Sequence, residues 1–439
     1  GGIAILKGNY LGTNRTGIDM GNDTNLYVNA GTVTCGSAAS QEFNVIGRAD
    51  VSGIYARGSG QVNVFSNYIG RSETHTAASN LDDGISLNGT GNAWIDSNMI
   101  VGNGDDGINF SKSAGSTLVT DNCIGISFDK ATIAANTDDG IFVDGQGTIK
   151  IGGTIDVDSN FIAGQSGGGD TGIAINDGSP TIQGNYIGTN NAGTDLSNDT
   201  NVYLLAGADN VTIGGDYTLT RNVIGHSTSI GIFVAVSSGT TNIKGNDIGY
   251  DSGGFNVGNG TDGISVPSSG GVINIGGTGA NEGNVIGLSV DDGIVITATS
   301  GTVNVLGNYI GTNSTNAVLR NTGDGIEVGT TGATVNIGGG AAGSANFICW
   351  QDGVADAGIR VVNGSPSIQG NYIGTNAAGA NLGNAVGVVI STGADNVSLG
   401  GNAAGEGNIV GTSDSDDLQV SGTVGVVNIK GNWFGTNAA

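Results

Sequence analysis

Proline occurs 3 times in 439 residues, and cysteine also 3 times. Collagen needs abundant proline and a strict glycine period, so it is excluded even though glycine reaches 85 residues. The cysteines, Cys35, Cys123 and Cys349, are odd in number, far apart and without metal-ligand spacing. They exclude a disulfide framework and a zinc cluster. Cys349 lies in the apolar run 347–350 and reads as a small core residue. Positive charge is short as well: 13 Lys and Arg stand against 38 Asp and Glu, a net charge of −25. Such a surface repels nucleic acid, which binds through basic stripes, and it attracts cations. Long apolar runs are missing, so no membrane-spanning helix is expected. No signal peptide is visible. The chain opens inside its own repeat, which suggests a removed leader or a segment of something longer.

What is present argues against glycine-rich disorder. Apolar residues make up 37% of the chain, and Ile and Val alternate with polar residues. GNYIGTN stands at 184–190, 307–313 and 370–376, with near-copies at 8–14 and 431–437. The asparagine of this pattern can be followed along the whole chain: Asn9, Asn44, Asn67, Asn98, Asn122, Asn160, Asn185, Asn222, Asn246, Asn284, Asn308, Asn346, Asn371, Asn408 and Asn432. From Asn98 onward, steps of 24 or 25 residues alternate with steps of 37 or 38. A second landmark, DDGI or a variant of it, follows at 82–85, 105–108, 138–141, 261–264, 291–294 and 323–326. Long units carry one insert before that landmark and another after IGG, as in IGGTGANEGN (275–284).

A 24-residue unit of short β-type runs is too short for a helix pair, and no helical period runs anywhere. Repeats of this length signal a solenoid. We therefore expect an all-β chain: a right-handed, single-stranded parallel β-helix of about 15 rungs, long and short in alternation, continuous over 1–439. Rungs should stack at about 4.8 Å. The region 44–122 is the least regular. The corner asparagine should bond its own backbone and the asparagine of the next rung, as an amide ladder.

The units at 370–390 and 275–287 resemble a repeat of secreted bacterial right-handed β-helix proteins, many of them large surface or adhesin-like chains, whose relatives share the pectate-lyase fold. The resemblance covers nearly the whole chain. It implies an extracellular or cell-surface location, and a fold that hosts enzymes and passive stalks alike.

An enzyme of this fold would carry a recognisable site. Asn136-Thr137-Asp138-Asp139-Gly140 resembles a fused form of two polygalacturonase segments, but Asp82-Asp83, Asp105-Asp106 and Asp291-Asp292 repeat the same acidic pair. A pair that recurs from rung to rung is structural by default. His226 and His75 do not supply the family's Gly-His-Gly. A lyase needs an arginine base beside calcium-binding carboxylates. Arg15, Arg57, Arg320 and Arg360 are scattered, Arg221 flanks a corner, and Arg48 and Arg71, near Asp50 and Glu73, are expected one rung apart. Asp156, Asp158 and Asn160 imitate the start of an EF-hand without its glycine or terminal glutamate. Asp414, Asp416 and Asp417 cluster near the end. No cofactor is expected beyond adventitious calcium.

Outward aromatics follow the corner asparagine at Tyr10, Tyr68, Phe161, Tyr186, Tyr309, Phe347, Tyr372 and Trp433. They could stack on sugar rings or cover one another. Ten Asn-x-Ser/Thr sequons, among them Asn14, Asn198 and Asn313, are near chance for this composition. IGTN recurs only in every second rung, which does not build the flat threonine array of an ice-binding surface. The expected function is a non-catalytic structural or adhesive surface element. A polysaccharide-active enzyme or carbohydrate-binding module is the alternative, with no catalytic residue assigned. Expected partners are a polysaccharide or cell-surface ligand and, through matching repeat phase at the two ends, head-to-tail copies of the chain.

Overall fold

A computed structural model describes residues 2–37, 42–165, 167–351, 353–354 and 356–435. Every regular element among them is a β-strand. The chain divides into two compact units, Gly1–Val211 and Thr212–Ala439. In each, three parallel sheets are built by the same cycle. A three- to five-residue strand such as Thr302–Leu306 leads into the corner asparagine. A two-residue strand such as Tyr309–Ile310 follows, and then, past a turn or loop, a third strand such as Ile326–Gly329. Each strand pairs with its counterpart one cycle later: Val303 faces Val335, Ile310 faces Ile348 and Ile326 faces Ile359. This is the parallel β-solenoid expected from the repeat.

Alternation decides which side chains enter the coil. In Thr302–Leu306, Val303 and Val305 are fully buried while Thr302, Asn304 and Leu306 stay partly exposed. The two-residue strands contribute one inward residue each. In the second unit the column Ile248, Ile286, Ile310, Ile348 and Ile373 is completely buried. Each such side chain contributes about 1.5–3 kcal/mol of burial. The three cysteines are free and buried, and burial pushes each thiol up to about 12.

The asparagine ladder forms as expected. In the first unit the side-chain amide of Asn122 donates to Asn160 Oδ1 at 2.9 Å, and Asn160 to Asn185 at 2.8 Å. In the second, Asn246 bonds Asn284 at 3.0 Å and Asn284 bonds Asn308 at 2.9 Å. Each Oδ1 also accepts the backbone N–H of the asparagine before it, as Asn284 does from Asn246 at 2.9 Å. The spare amide hydrogen of Asn246 serves the carbonyls of Ile213 and Lys244, at 2.9 and 3.0 Å. Two glycines show why the corners tolerate no side chain. At Gly276 φ is +79°, and a Cβ there would run into the carbonyl of Leu306 and the Asn308 side chain. At Gly293, in the DDGI landmark, a Cβ would meet the carbonyl of Gly325 and the amide of Asn321.

The inserted loops leave the coil in every second cycle, at two corners except between Asn67 and Asn98, where only the first is present. They touch their counterparts two cycles away. Asn376 Nδ2 donates to Asn316 Oδ1 at 3.0 Å, and Asn190 Nδ2 to the Lys130 carbonyl at 2.6 Å. The spacing has a geometric cause. One coil advances about 4.8 Å, too little for two stacked loop layers, whereas two coils give nearly the 10 Å of packed layers.

Asn246→Leu strands several buried backbone groups and is expected to cost about 1–3 kcal/mol. Asn313, in a loop, bonds Thr315 and Ala317 at the surface. Its replacement by alanine should lower the melting midpoint much less. Calorimetry on both variants checks this, and equal shifts would count against the ladder.

Candidate functional site

Over the two-residue strands of the second unit, the outward residues form a floor. Tyr309, Phe347 and Tyr372 stack with ring centroids 5.0 and 4.9 Å apart and planes within 11° and 3° of parallel. Two loop columns rise beside it. One contains Tyr250 and Asn313, where the asparagine amide lies 3.4 Å from the tyrosine hydroxyl. The other contains Tyr217 and Asn281, where the Tyr217 N–H donates to the Asn281 carbonyl at 2.9 Å. Between them lies an open cavity of about 710 Å³. Its lining includes the aromatic floor, Asn281, Asn313, Ser314 and Thr315, and among the described lining residues tyrosine alone is ionisable; the partly exposed Glu282 carboxylate lies beside the lining glycines Gly277 and Gly279. Because the rings face one another along the coil, their edges and hydroxyls, rather than their faces, meet the cavity.

The aromatic column does not extend to the preceding coils, where the position after the corner asparagine is held by Val223, Asp247 and Val285; Asp247 is fully buried. Tyr217 reaches in from the IGG loop and donates its hydroxyl to Asp247 Oδ1 at 2.6 Å. Arg221 Nε stands 3.3 Å from Asp247 Oδ2, and the Ser252 N–H bonds the same oxygen at 3.0 Å. Burial pushes Asp247 up to about 6, against the lowering by Tyr217 and Arg221. Burial and Asp247 together raise the Tyr217 phenol. Tyr217 therefore donates and does not act as a base, and Asp247 anchors it. The repeat spelling shows Asp247 at this position, but not that Tyr217 covers it.

In the first unit, Phe161 and Tyr186 stack at 5.0 Å and 2°, both nearly buried, and Lys130 lies 3.9 Å over the Phe161 ring. Tyr68 packs edge-on against Phe43 and Phe128. A 430 Å³ groove beside Tyr10 and Phe43 is edged by the ion pair of Arg15 and Glu73. Arg48 and Arg71 stand at equivalent places in successive coils, as expected. Arg71 is spent on the His75 carbonyl and on Ser127, and Arg48 on the carbonyls of Gly17 and Ala77. The EF-hand mimic is a set of turn contacts: Asp158 accepts the Thr154 N–H, Asp156 accepts the Tyr186 hydroxyl, and Asn160 belongs to the ladder. Asp416, near the C-terminal end, accepts the Gln419 amide.

Two ladders were not foreseen. A second buried amide column runs four residues before the landmark glycine. Asn80 bonds Asn103 and Asn103 bonds Asn136, both at 2.8 Å, and the Asn136 N–H bonds Gln165 Oε1 at 3.0 Å. In the second unit Asn321, Gln351 and Asn384 continue the pattern. The mixture of Asn, Gln and Ser at this position hid it. A surface column, Asn242, Asn274, Asn304 and Asn336, links neighbours at 2.9–3.0 Å. Its signal was legible in TNIKG, INIGG, VNVLG and VNIGG.

The paired aspartates form an acidic corner in each unit. In the first, Asp83, Asp106 and Asp139 are buried while Asp82, Asp105 and Asp138 face outward. Asn136 and Asp139 of the polygalacturonase-like segment are thus ladder members, Asp139 accepting the N–H and hydroxyl of Thr171 at 2.8 and 2.7 Å. In the second unit, Arg360 clasps Asp324 through two bonds of 2.5 and 3.0 Å. Burial, and then neighbouring carboxylates, push Asp106 up to about 8 and Asp83 to about 7. Burial pushes Asp292 up to about 8 and Asp262 to about 6.

No protein-family model matches the chain, and no curated protein or solved structure shows significant similarity to it. The class is therefore defined by the fold itself: a three-sheet parallel β-solenoid with internal amide ladders.

The raised carboxyls favour the protonated folded state. Their contribution is complete below the unfolded aspartate value of about 3.9 and is lost as pH rises through about 6 to 8. In chelator-treated buffer the melting midpoint should fall between pH 5 and pH 8. Asp292→Asn keeps an acceptor for the Asp324 N–H, which bonds Asp292 Oδ1 at 2.6 Å, and should flatten part of that slope. Thermal melts across pH check both.

Proposed function

We propose that this chain is a non-catalytic structural or adhesive element of the extracellular or cell-surface β-helix type, and that its trough holds a neutral polysaccharide. The carrying observation is the uncharged lining of the 710 Å³ cavity above the Tyr309–Phe347–Tyr372 stack. An extended trough along successive coils suits a chain ligand. Tyrosine hydroxyls, asparagine amides and the Ser314 and Thr315 hydroxyls suit sugar hydroxyls, and the ring edges suit sugar C–H patches. A net charge of −25 disfavours uronate polymers. Acid–base cleavage needs a titratable group within reach of the scissile bond. Asp247 is sealed beneath Tyr217, and the Glu282 carboxylate, beside the lining glycines Gly277 and Gly279, is tied to the Lys244 ammonium and the Gly279 N–H.

Affinity electrophoresis against neutral and uronate polysaccharides tests the reading. A neutral polymer is expected to retard the protein, and Tyr309→Ala or Tyr372→Ala to weaken that binding about tenfold, or about 1.4 kcal/mol. Preference for polygalacturonate or alginate would overturn it. So would cleavage of a polymer that Asp138→Asn, Asp139→Asn or Arg71→Ala abolishes, which would move the chain to the enzyme alternative.

A further inference from the structure

The two acidic corners solve the same electrostatic problem differently. In the second unit the positive charge comes from Arg360, bidentate on Asp324. In the first, the principal charges acting on Asp83, Asp105 and Asp106 are other carboxylates, with no basic side chain among them. One carboxylate oxygen of Asp82 and one of Asp105 lie within 4.8 Å of each other. Like charges so placed on neighbouring coils repel, and a cation between them would offset the repulsion.

Two sets of three aspartates each bring one oxygen per residue within 4.8 Å of the others: Asp82, Asp83 and Asp105, and Asp105, Asp106 and Asp138. Oxygens around one calcium ion, at 2.3–2.6 Å from the metal, lie at most about 5 Å apart. Their hydrogen bonding separates the two sets. Asp106 is occupied on both oxygens, Oδ1 by the Asp139 N–H at 3.1 Å and Oδ2 by the Asn109 amide at 2.8 Å. Asp83 is 4% exposed, and its Oδ1 is shut off from solvent without a well-formed hydrogen bond among the described residues, the Ser86 hydroxyl and the Asp106 N–H acting on the carboxylate only weakly. A buried carboxylate oxygen without a well-formed hydrogen bond is costly, and a metal ion would satisfy it. Asp82 and Asp105 are only half-buried, so an ion and its remaining waters could enter from outside.

We propose that Asp82, Asp83 and Asp105 form a calcium site that joins the two successive coils at this corner. The donors are all hard carboxylate oxygens, which favours calcium over zinc or copper. The ion does in the first unit what the Arg360 guanidinium does in the second. It cancels the repulsion between stacked carboxylates and ties one coil to the next. The site is distant in sequence from the trough residues and does not depend on the polysaccharide reading.

The test is a calcium titration of the full chain after chelator treatment, followed by isothermal calorimetry and by the melting midpoint. Binding is expected together with a rise in midpoint. Asp83→Asn and Asp105→Asn should each weaken binding at least tenfold and abolish the rise. Asp138→Asn, which belongs only to the other set, and Asp291→Asn, at the second unit's corner, should change it little. Circular dichroism establishes that each variant keeps its β-structure. If Asp83→Asn fails to fold, the half-buried Asp105 and Asp82 variants carry the test. The proposal is overturned if calcium well above the roughly millimolar affinity of weak extracellular modules leaves the midpoint unmoved. It is also overturned if Asp105→Asn responds as the wild type does, or if Asp138→Asn loses binding as completely as Asp105→Asn.

Discussion

Parallel pairing at one fixed step per coil is the constraint on which everything else in each unit depends. Once strands are hydrogen-bonded to their counterparts, every residue sits about 4.8 Å from its equivalent in the next coil. Any feature of the repeat is then copied into a column. An asparagine becomes an amide ladder, an isoleucine becomes an aliphatic seam, and a tyrosine becomes a ring stack. The asparagine column has the strictest requirement, because it closes a corner where backbone groups have left the sheets. Asn246 meets it with bonds to Ile213, Lys244 and Asn284. No apolar residue of similar size could do so.

The same step is favourable or costly according to chemistry. Amides gain from it, since each carries both a donor and an acceptor. Flat rings gain as well, at the centroid distances seen for Phe347 and Tyr372. Carboxylates lose, because like charges are brought close in a partly dry corner. The chain answers this in several ways: with a guanidinium at Asp324, with hydroxyl and backbone donors at Asp139, and with burial that keeps Asp106 and Asp292 protonated to higher pH. Loops lose too, since their layers are thicker than one coil. Their alternation between cycles is the geometric remedy, and the trough between the two loop columns is its by-product.

Much of this was legible in the sequence. The solenoid followed from the alternation of 24- and 38-residue steps, and the ladder asparagines were named one by one because their spelling varies so little. Inward and outward residues followed from the period of two. The second amide column was not legible, because Asn80, Asn103 and Asn136 share it with Gln165, and a chemical role filled by several residue types leaves no fixed letter to index. The acidic pairs are visible in the sequence, and their repetition alone reads as structural. Their repetition is what brings Asp83 and Asp105 together.

The sequence by itself determined the class of fold, the corner residues, the direction of each side chain and the sign of the surface, since these follow from local period, glycine placement and composition. Only the tertiary structure decided which outward residues would line a cavity and which would cover one another. Tyr186 is nearly buried while Tyr309 stands half open, although both occupy the same place in the same seven-letter phrase. The difference lies in contacts from other coils, which no single repeat encodes. For the same reason, Tyr217 filling the gap above Asp247 and the unsatisfied Asp83 oxygen appear only when successive coils are laid one on another.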